Sequence, residues 1–286
     1  MSPSNGRTIV RVKPATSAVV SWNTQAESGR IELTVYRADG QVSTWLPYVA
    51  FSPAGRRSFC GGDDVARITT DIVEATMPIV AIEVRSDGPL DAIAISTPVH
   101  RRSSEPATVR TALGVPALSQ YLSAHPGERG WCSAASLAML LAYWGKPHDI
   151  PQIVHAVHDE RYGGTGNWTF NIAYASRFGL RAAVVHLAGL DHAARFIAAG
   201  IPLALSFSWH SGELPGAPLD RSDGHLAVLR GFTRHGHPKL HDPAHADIVT
   251  SYDRKALERV WQAHGGAAFA AVPIERSSEL VRLANG

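Results

Sequence analysis

Cys132 opens an apolar run, CSAASLAMLLAYWG, whose spacing predicts a helix. Leu137, Leu140, Leu141 and Trp144 fall at i, i+3, i+4 and i+7, the positions of one buried face. Ser133, Ala134, Ala135 and Ala138 are small, so the helix can be packed on nearly every side. Gly145 stands where a left-handed residue would end it, with Pro147 just beyond, and Gly127 and Gly130 mark a loop before it. A cysteine at a helix start faces free N–H groups and the positive end of the helix dipole, which favours thiolate over thiol. A thiolate attacks carbonyl carbon, so the chemistry indicated is acyl transfer through a thioester. The competing reading is a core filler, because free cysteine is often buried and acts as a small hydrophobe. A loop-to-helix junction between Gly130 and Trp131 on one side and Ser133 on the other favours the nucleophile.

A thiol nucleophile needs an imidazole to form an ion pair and to hand a proton to the leaving amine. The chain has 14 histidines, and residue type alone does not choose among them. His235, His237, His241 and His245 cluster, and His241 and His245 have the i, i+4 spacing of helical metal ligands. They flank Asp242-Pro243, where no helix is expected, so no metal site is assigned. Asp63 and Asp64, with Asp71 nearby, read as a solvated acidic turn in preference to a calcium site. Trp22, Trp45 and Tyr48 read as core aromatics in preference to a ligand face. The loop Gly163 to Gly166 could approach a ligand closely, but Asn167 fits a helix N-cap equally well. The only cysteines are Cys60 and Cys132, too few for a disulfide framework. A catalytic Cys132 should not be tied to Cys60.

The elements that must position this chemistry fall into two groups. A chain of 286 residues suggests two domains. Hydrophobic content of 45% and charged content of 18% place it among ordinary globular proteins. Net charge is +2 with Arg and Lys scattered, so nucleic acid is not an expected partner. No apolar run approaches the ~20 residues a membrane span needs. The stretch MSPSNGRTIVRVKP has no apolar core of a signal peptide, leaving compartment open between cytoplasm and secretion with a leader removed. Oligomeric state is open too.

Residues 8 to 99 read as strands at Ala18 to Trp22, Arg30 to Tyr36, Gln41 to Leu46, Ala66 to Val73, Ile79 to Val84 and Ala92 to Thr97, with turn signals between. That spacing predicts an antiparallel β-sandwich over 1–100. A polar, proline-bearing stretch predicts a linker over 101–112. Residues 113–286 form the second domain. Helices are expected from Cys132 up to Gly145, and at Ile150 to Val157, Trp168 to Phe178, Leu190 to Ala199 and Lys255 to His264. Strands are expected at Leu180 to His186, Ile201 to Trp209, His225 to Phe232, Lys239 to Asp242 and Ala267 to Pro273. Helices first and strands later make an α+β pattern, not repeated βαβ units.

Four segments, WCSAASLAMLLAYWG, GGTGNWTFNIAYASRFGL, GHLAVLRGF and HDPA, in this order, resemble the C39-like branch of papain-fold cysteine peptidases over about residues 113 to 275. The N-terminal half more loosely resembles the β-rich domain that precedes the peptidase domain in some bacterial members. The resemblance implies an α+β papain-like peptidase domain preceded by an all-β sandwich, a Cys-His-Asp triad, a peptide or protein substrate and no cofactor. It carries the nucleophile onto Cys132, the general base onto His225, the orienting carboxylate onto Asp242, and an oxyanion-holding amide onto Gln120. His225 would need an acceptor on its other nitrogen, and Asp242 lies 17 positions later (242 − 225), across a hairpin. Gln120 stands 12 positions before Cys132 (132 − 120), farther than a tight loop would put it, with AHPGER intervening. Two other readings use the same fold: a catalytically silent peptide-binding module, and a transglutaminase-like acyl transferase.

Overall fold

The computed structural model describes residues 6–99, 112–125 and 130–286. The expected linker therefore lies outside the described residues except for Ala112, as do residues 126–129 of the AHPGER insert.

Among the described residues, eight strands precede the first helix. They are β1 (Arg7–Asn23), β2 (Gly29–Arg37), β3 (Leu46–Ser52), β4 (Gly55–Ser58), β5 (Gly61–Gly62), β6 (Arg67–Thr69), β7 (Ile72–Ser86) and β8 (Ala92–Ser96). They hydrogen-bond into one antiparallel sheet along β4-β3-β2-β7-β1-β8, with β6 joined to β7 and β5 to β6. The strand expected over 41–46 is displaced to β3. Residues 37–43 close a turn instead, with Arg37 N donating to Gln41 O at 2.9 Å and Val35 N to Ser43 Oγ at 2.9 Å. Pro47 cannot donate to the ladder, and β2 shifts register between Ile31 and Glu32 where Pro47 pairs. The break expected between Val73 and Ile79 is absent. β7 runs through it, opposite two irregularities in β1 between Arg11 and Ser17.

The chain divides into two compact units, one holding Met1–Pro98, Ala156–Arg177 and Ala182–Val184, the other Val99–His155, Phe178–Arg181 and Val185–Gly286. In the first, Trp22 and Tyr48 are core residues, and Trp22 packs on Tyr48, Phe51 and Phe170 at 5.9–6.3 Å between ring centroids. Trp45 departs from the core reading. It lies half-buried between the Arg7 and Arg85 guanidinium groups, 5.3 and 4.2 Å from its ring. The Asp63 carboxylate folds its own turn, accepting from the N–H groups of Val65, Ala66 and Thr44. Asp71 is buried and accepts from Trp168 N at 2.6 Å.

Past residue 130 come α1 (Cys132–Tyr143), α2 (Ile150–Val157), α3 (Trp168–Ser176), β9 (Leu180–His186), α4 (Leu190–Ala198), β10 (Leu203–Trp209), β11 (Ser222–Phe232), β12 (Pro238–His241), β13 (Val249–Ser251), α5 (Arg254–Ala263), β14 (Ala267–Pro273) and α6 (Ser277–Asn285). Their strands make a six-stranded sheet in the order β13-β12-β11-β10-β14-β9. α1 is buried from Ser133 through Leu141, as its small residues imply. It ends in a Schellman motif: Gly145, at φ 72°, donates to Ala142 O, and Lys146 N donates to Leu141 O. Of the two readings of Asn167, the structure takes the cap. Its Oδ1 accepts from Thr169 N and Phe170 N at the start of α3. β13 and α6 were not expected. β13 spans three residues, and α6 buries only Leu280 and Leu283, too little periodicity to read. Among the described residues, no helix is long and apolar enough to cross a membrane.

Candidate active site

α1 starts at Cys132, with Trp131 at the N-cap and no side chain capping that end. Cys132 is half-buried, and both it and Cys60 are free thiols. α1 lies on β11, where Ser136 Oγ donates to Leu226 O at 3.1 Å.

The residue before Leu226 is His225, 2% exposed. It pairs across the sheet with Phe207 of β10. The rings of Phe207 and Trp209 both meet the imidazole edge-on, at 5.5 and 5.6 Å. Trp209 is fixed in turn, its Nε1 donating to Leu219 O in the loop before β11. This apolar shield keeps water from the imidazole and strengthens charge interactions there.

β12 pairs with β11 so that His241 faces Val228. One step further, position 242 falls opposite Ala227, on the sheet face that carries His225. His225 Nε2 donates to Asp242 Oδ1 at 2.8 Å. Asp242 is fully buried and further held: Oδ1 also accepts from Ala244 N at 3.0 Å, and Oδ2 accepts from the Tyr252 hydroxyl at 2.7 Å. Nε2 being taken, Nδ1 is the ring nitrogen left for Cys132.

The electrostatics agree with a charged pair. Burial pushes the Cys132 thiol up, but a hydrogen bond with His225, the charge of that ring and a backbone hydrogen bond from Leu226 outweigh it. The net shift is downward, toward thiolate. Burial pushes His225 down, and the Asp242 carboxylate together with the Cys132 contact outweighs that, lifting it to about 10. Asp242 is pushed up by burial and held below its ordinary value by His225, Tyr252 and Ala244. A thiol with a lowered pKa beside a buried imidazole whose Nε2 is held by a carboxylate is an arrangement suited to a sulfur nucleophile and a proton donor.

Gln120 is buried near the same turn, its N donating to Pro243 O at 2.9 Å. Its side-chain Oε1 has no hydrogen-bond partner among the described residues. The histidine cluster does not converge. His241 Nδ1 meets Pro116 O, His237 Nδ1 accepts from Arg254 N, and His235 Nε2 accepts from Arg234. Among the described residues, no group of three or more His, Cys, Asp or Glu side chains could hold a metal ion. Three residues touching the site escape the sequence reading: Phe207, Trp209 and Tyr252. Alternation along β10 puts the first two on one face and was the available signal. Tyr252, ten positions past Asp242 (252 − 242), carries none.

No curated protein matches the chain. Among solved structures, it is similar to a double glycine motif protease from an AMS/PCAT transporter, in complex with the leader peptide. Identity is 21% over 58% of this chain and 97% of that one, with a TM-score of 0.38. It is also similar to a C39-like peptidase from Bacillus anthracis, at 16% identity over 56% of this chain and 96% of the other, TM-score 0.43. A family model matches residues 112–269, more than half of the sequence, and on that match the chain belongs to the Peptidase_C39 like family.

Proposed function

We propose that this chain is a cysteine peptidase that hydrolyses a peptide or related amide bond through a thioester. The observation that carries the reading is the His225 Nε2 to Asp242 Oδ1 bond of 2.8 Å, on a ring whose other side meets Cys132. Membership of a C39-like family supports it. In the proposed reaction the Cys132 thiolate adds to the scissile carbonyl carbon, and the carbonyl electron pair moves onto oxygen. The backbone N–H of Cys132 and the side-chain amide of Gln120 are assigned to that oxyanion, donors worth several kcal/mol of barrier. Collapse expels the amine, which leaves with the proton of His225 Nδ1. A water then gives its proton to His225 and adds to the thioester, releasing the acid and restoring the thiolate–imidazolium pair. Asp242 holds the ring through Nε2 and stabilises its charge.

We further propose the domain division 1–100, 101–112 and 113–286, with the first part an accessory β-sandwich. In such a fold, irregularities like those in β1 let a long strand pass between two layers. Mass spectrometry of a peptide-library digest tests the activity. Wild type is expected to cleave and Cys132→Ala to leave the library intact; cleavage by both, or by neither, would end the proposal.

A further inference from the structure

Asp242 is held by more than the histidine it faces, and we propose that Tyr252 is a positioning residue for the site. The inference rests on the peptidase reading above. Oδ1 of Asp242 already accepts twice, from His225 Nε2 and Ala244 N. Oδ2 accepts from the Tyr252 hydroxyl at 2.7 Å. The phenol is 2% exposed and the carboxylate 0%, so no bulk water stands ready to replace that donor. A buried carboxylate oxygen without a partner is costly, and the group relieves the cost by taking a proton or by turning toward another donor. Either response weakens the hold on His225. Partial rotation about the Cβ–Cγ bond would carry the carboxylate off Nε2, and the donors held on both of its oxygens oppose it. Tyr252 thus keeps Asp242 ionised and keeps its carboxylate on Nε2, which sustains the imidazolium and through it the Cys132 thiolate.

Tyr252 sits between β13 and the start of α5, where Asp253 caps the helix by accepting from Ala256 N. A purely structural tyrosine at such a junction would affect stability without touching the thiol. The two roles therefore separate by experiment. The full chain carrying Tyr252→Phe is compared with wild type for the rate of Cys132 alkylation by iodoacetamide across pH, with folding followed by thermal denaturation. The low-pH midpoint of alkylation is expected to rise by about one unit. Where a cleaved peptide is in hand, kcat falls about tenfold or more with KM little changed. A double-mutant cycle supplies the second measurement. In an Asp242→Asn background, Tyr252→Phe should shift the midpoint no further. An unmoved midpoint, or equal shifts in both backgrounds, overturns the positioning role. Failure of the peptidase reading looks different: wild-type Cys132 would itself alkylate as an ordinary thiol.

Discussion

The imidazole of His225 has each nitrogen assigned, Nε2 to Asp242 and Nδ1 to the side of Cys132, and this division sets a pH window. On the proposed reading, the thiolate–imidazolium pair holds above the lowered pKa of Cys132 and below about 10, where His225 gives up its proton. Alkylation by iodoacetamide should therefore begin below the ordinary thiol value of ~8.5. In His225→Ala the hydrogen bond and the positive charge are lost while burial stays, and burial alone raises a thiol pKa. The midpoint of that variant is expected at or above ~8.5. A midpoint that stays low would show that the helix N-terminus, and not the ring, activates the sulfur. The same residues show what a sequence discloses. The placement of Cys132 at a helix start was legible because helix periodicity, a loop glycine and a small-residue face all mark one junction. The meeting of His225 with Asp242 was legible only through family resemblance, since 14 histidines compete and strand register is invisible in the chain. Tyr252 was not legible: its role depends on how far a phenol reaches across a turn.

Elements are positioned by their ends, and α3 gives the sharpest test. Asn167 is fully buried and works in two directions. Its Oδ1 accepts from Thr169 N and Phe170 N, while its Nδ2 donates to Asp159 Oδ2 at 2.9 Å. Asp159 also accepts from Ser58 N and Arg161 N, so the cap ties α3 to β4 within one unit. Asn167→Ala removes the cap and an amide donor and should cost about 1–2 kcal/mol, measured by urea denaturation. Asn167→Asp keeps an acceptor for the helix but sets a carboxylate against Asp159. It is expected to be no better than alanine at neutral pH and to recover on acidification. An aspartate that matched wild type at neutral pH would mean the cap alone matters. The Asn167 cap was readable as one of two alternatives, because Asn before a helical run has a local mechanism. The displacement of β3 was not, because the choice between 41–46 and 46–52 is made by pairing with β2 and β4, far away in sequence.

At the scale of the whole molecule, two buried groups make stability answer to acid with opposite signs. Burial holds His186 down to about 4. An unfolded histidine takes its proton near ~6.5, so the unfolded chain binds more protons between those values. The contribution of His186 is complete above ~6.5 and is lost as pH falls toward 4, about 3 kcal/mol in all. Asp71 runs the other way. Burial lifts it to about 7 against the N–H of Trp168, and the charge of Asp159 adds to the lift. The folded chain keeps that proton where an unfolded aspartate, near ~3.9, has released it. Its contribution is complete below ~4 and is lost as pH rises through 7, about 4 kcal/mol. Between pH 4 and 6.5 the two slopes nearly cancel. Asp71→Asn should therefore leave a chain that weakens with acid across that window, and His186→Gln one that strengthens, each followed by urea midpoints at half-unit steps of pH. Identical slopes in wild type and both variants would remove burial as the cause. Asp71 belongs to one compact unit and His186 to the other. If unfolding resolves into two transitions, each substitution should alter the slope of only one of them, which assigns the transitions to the units.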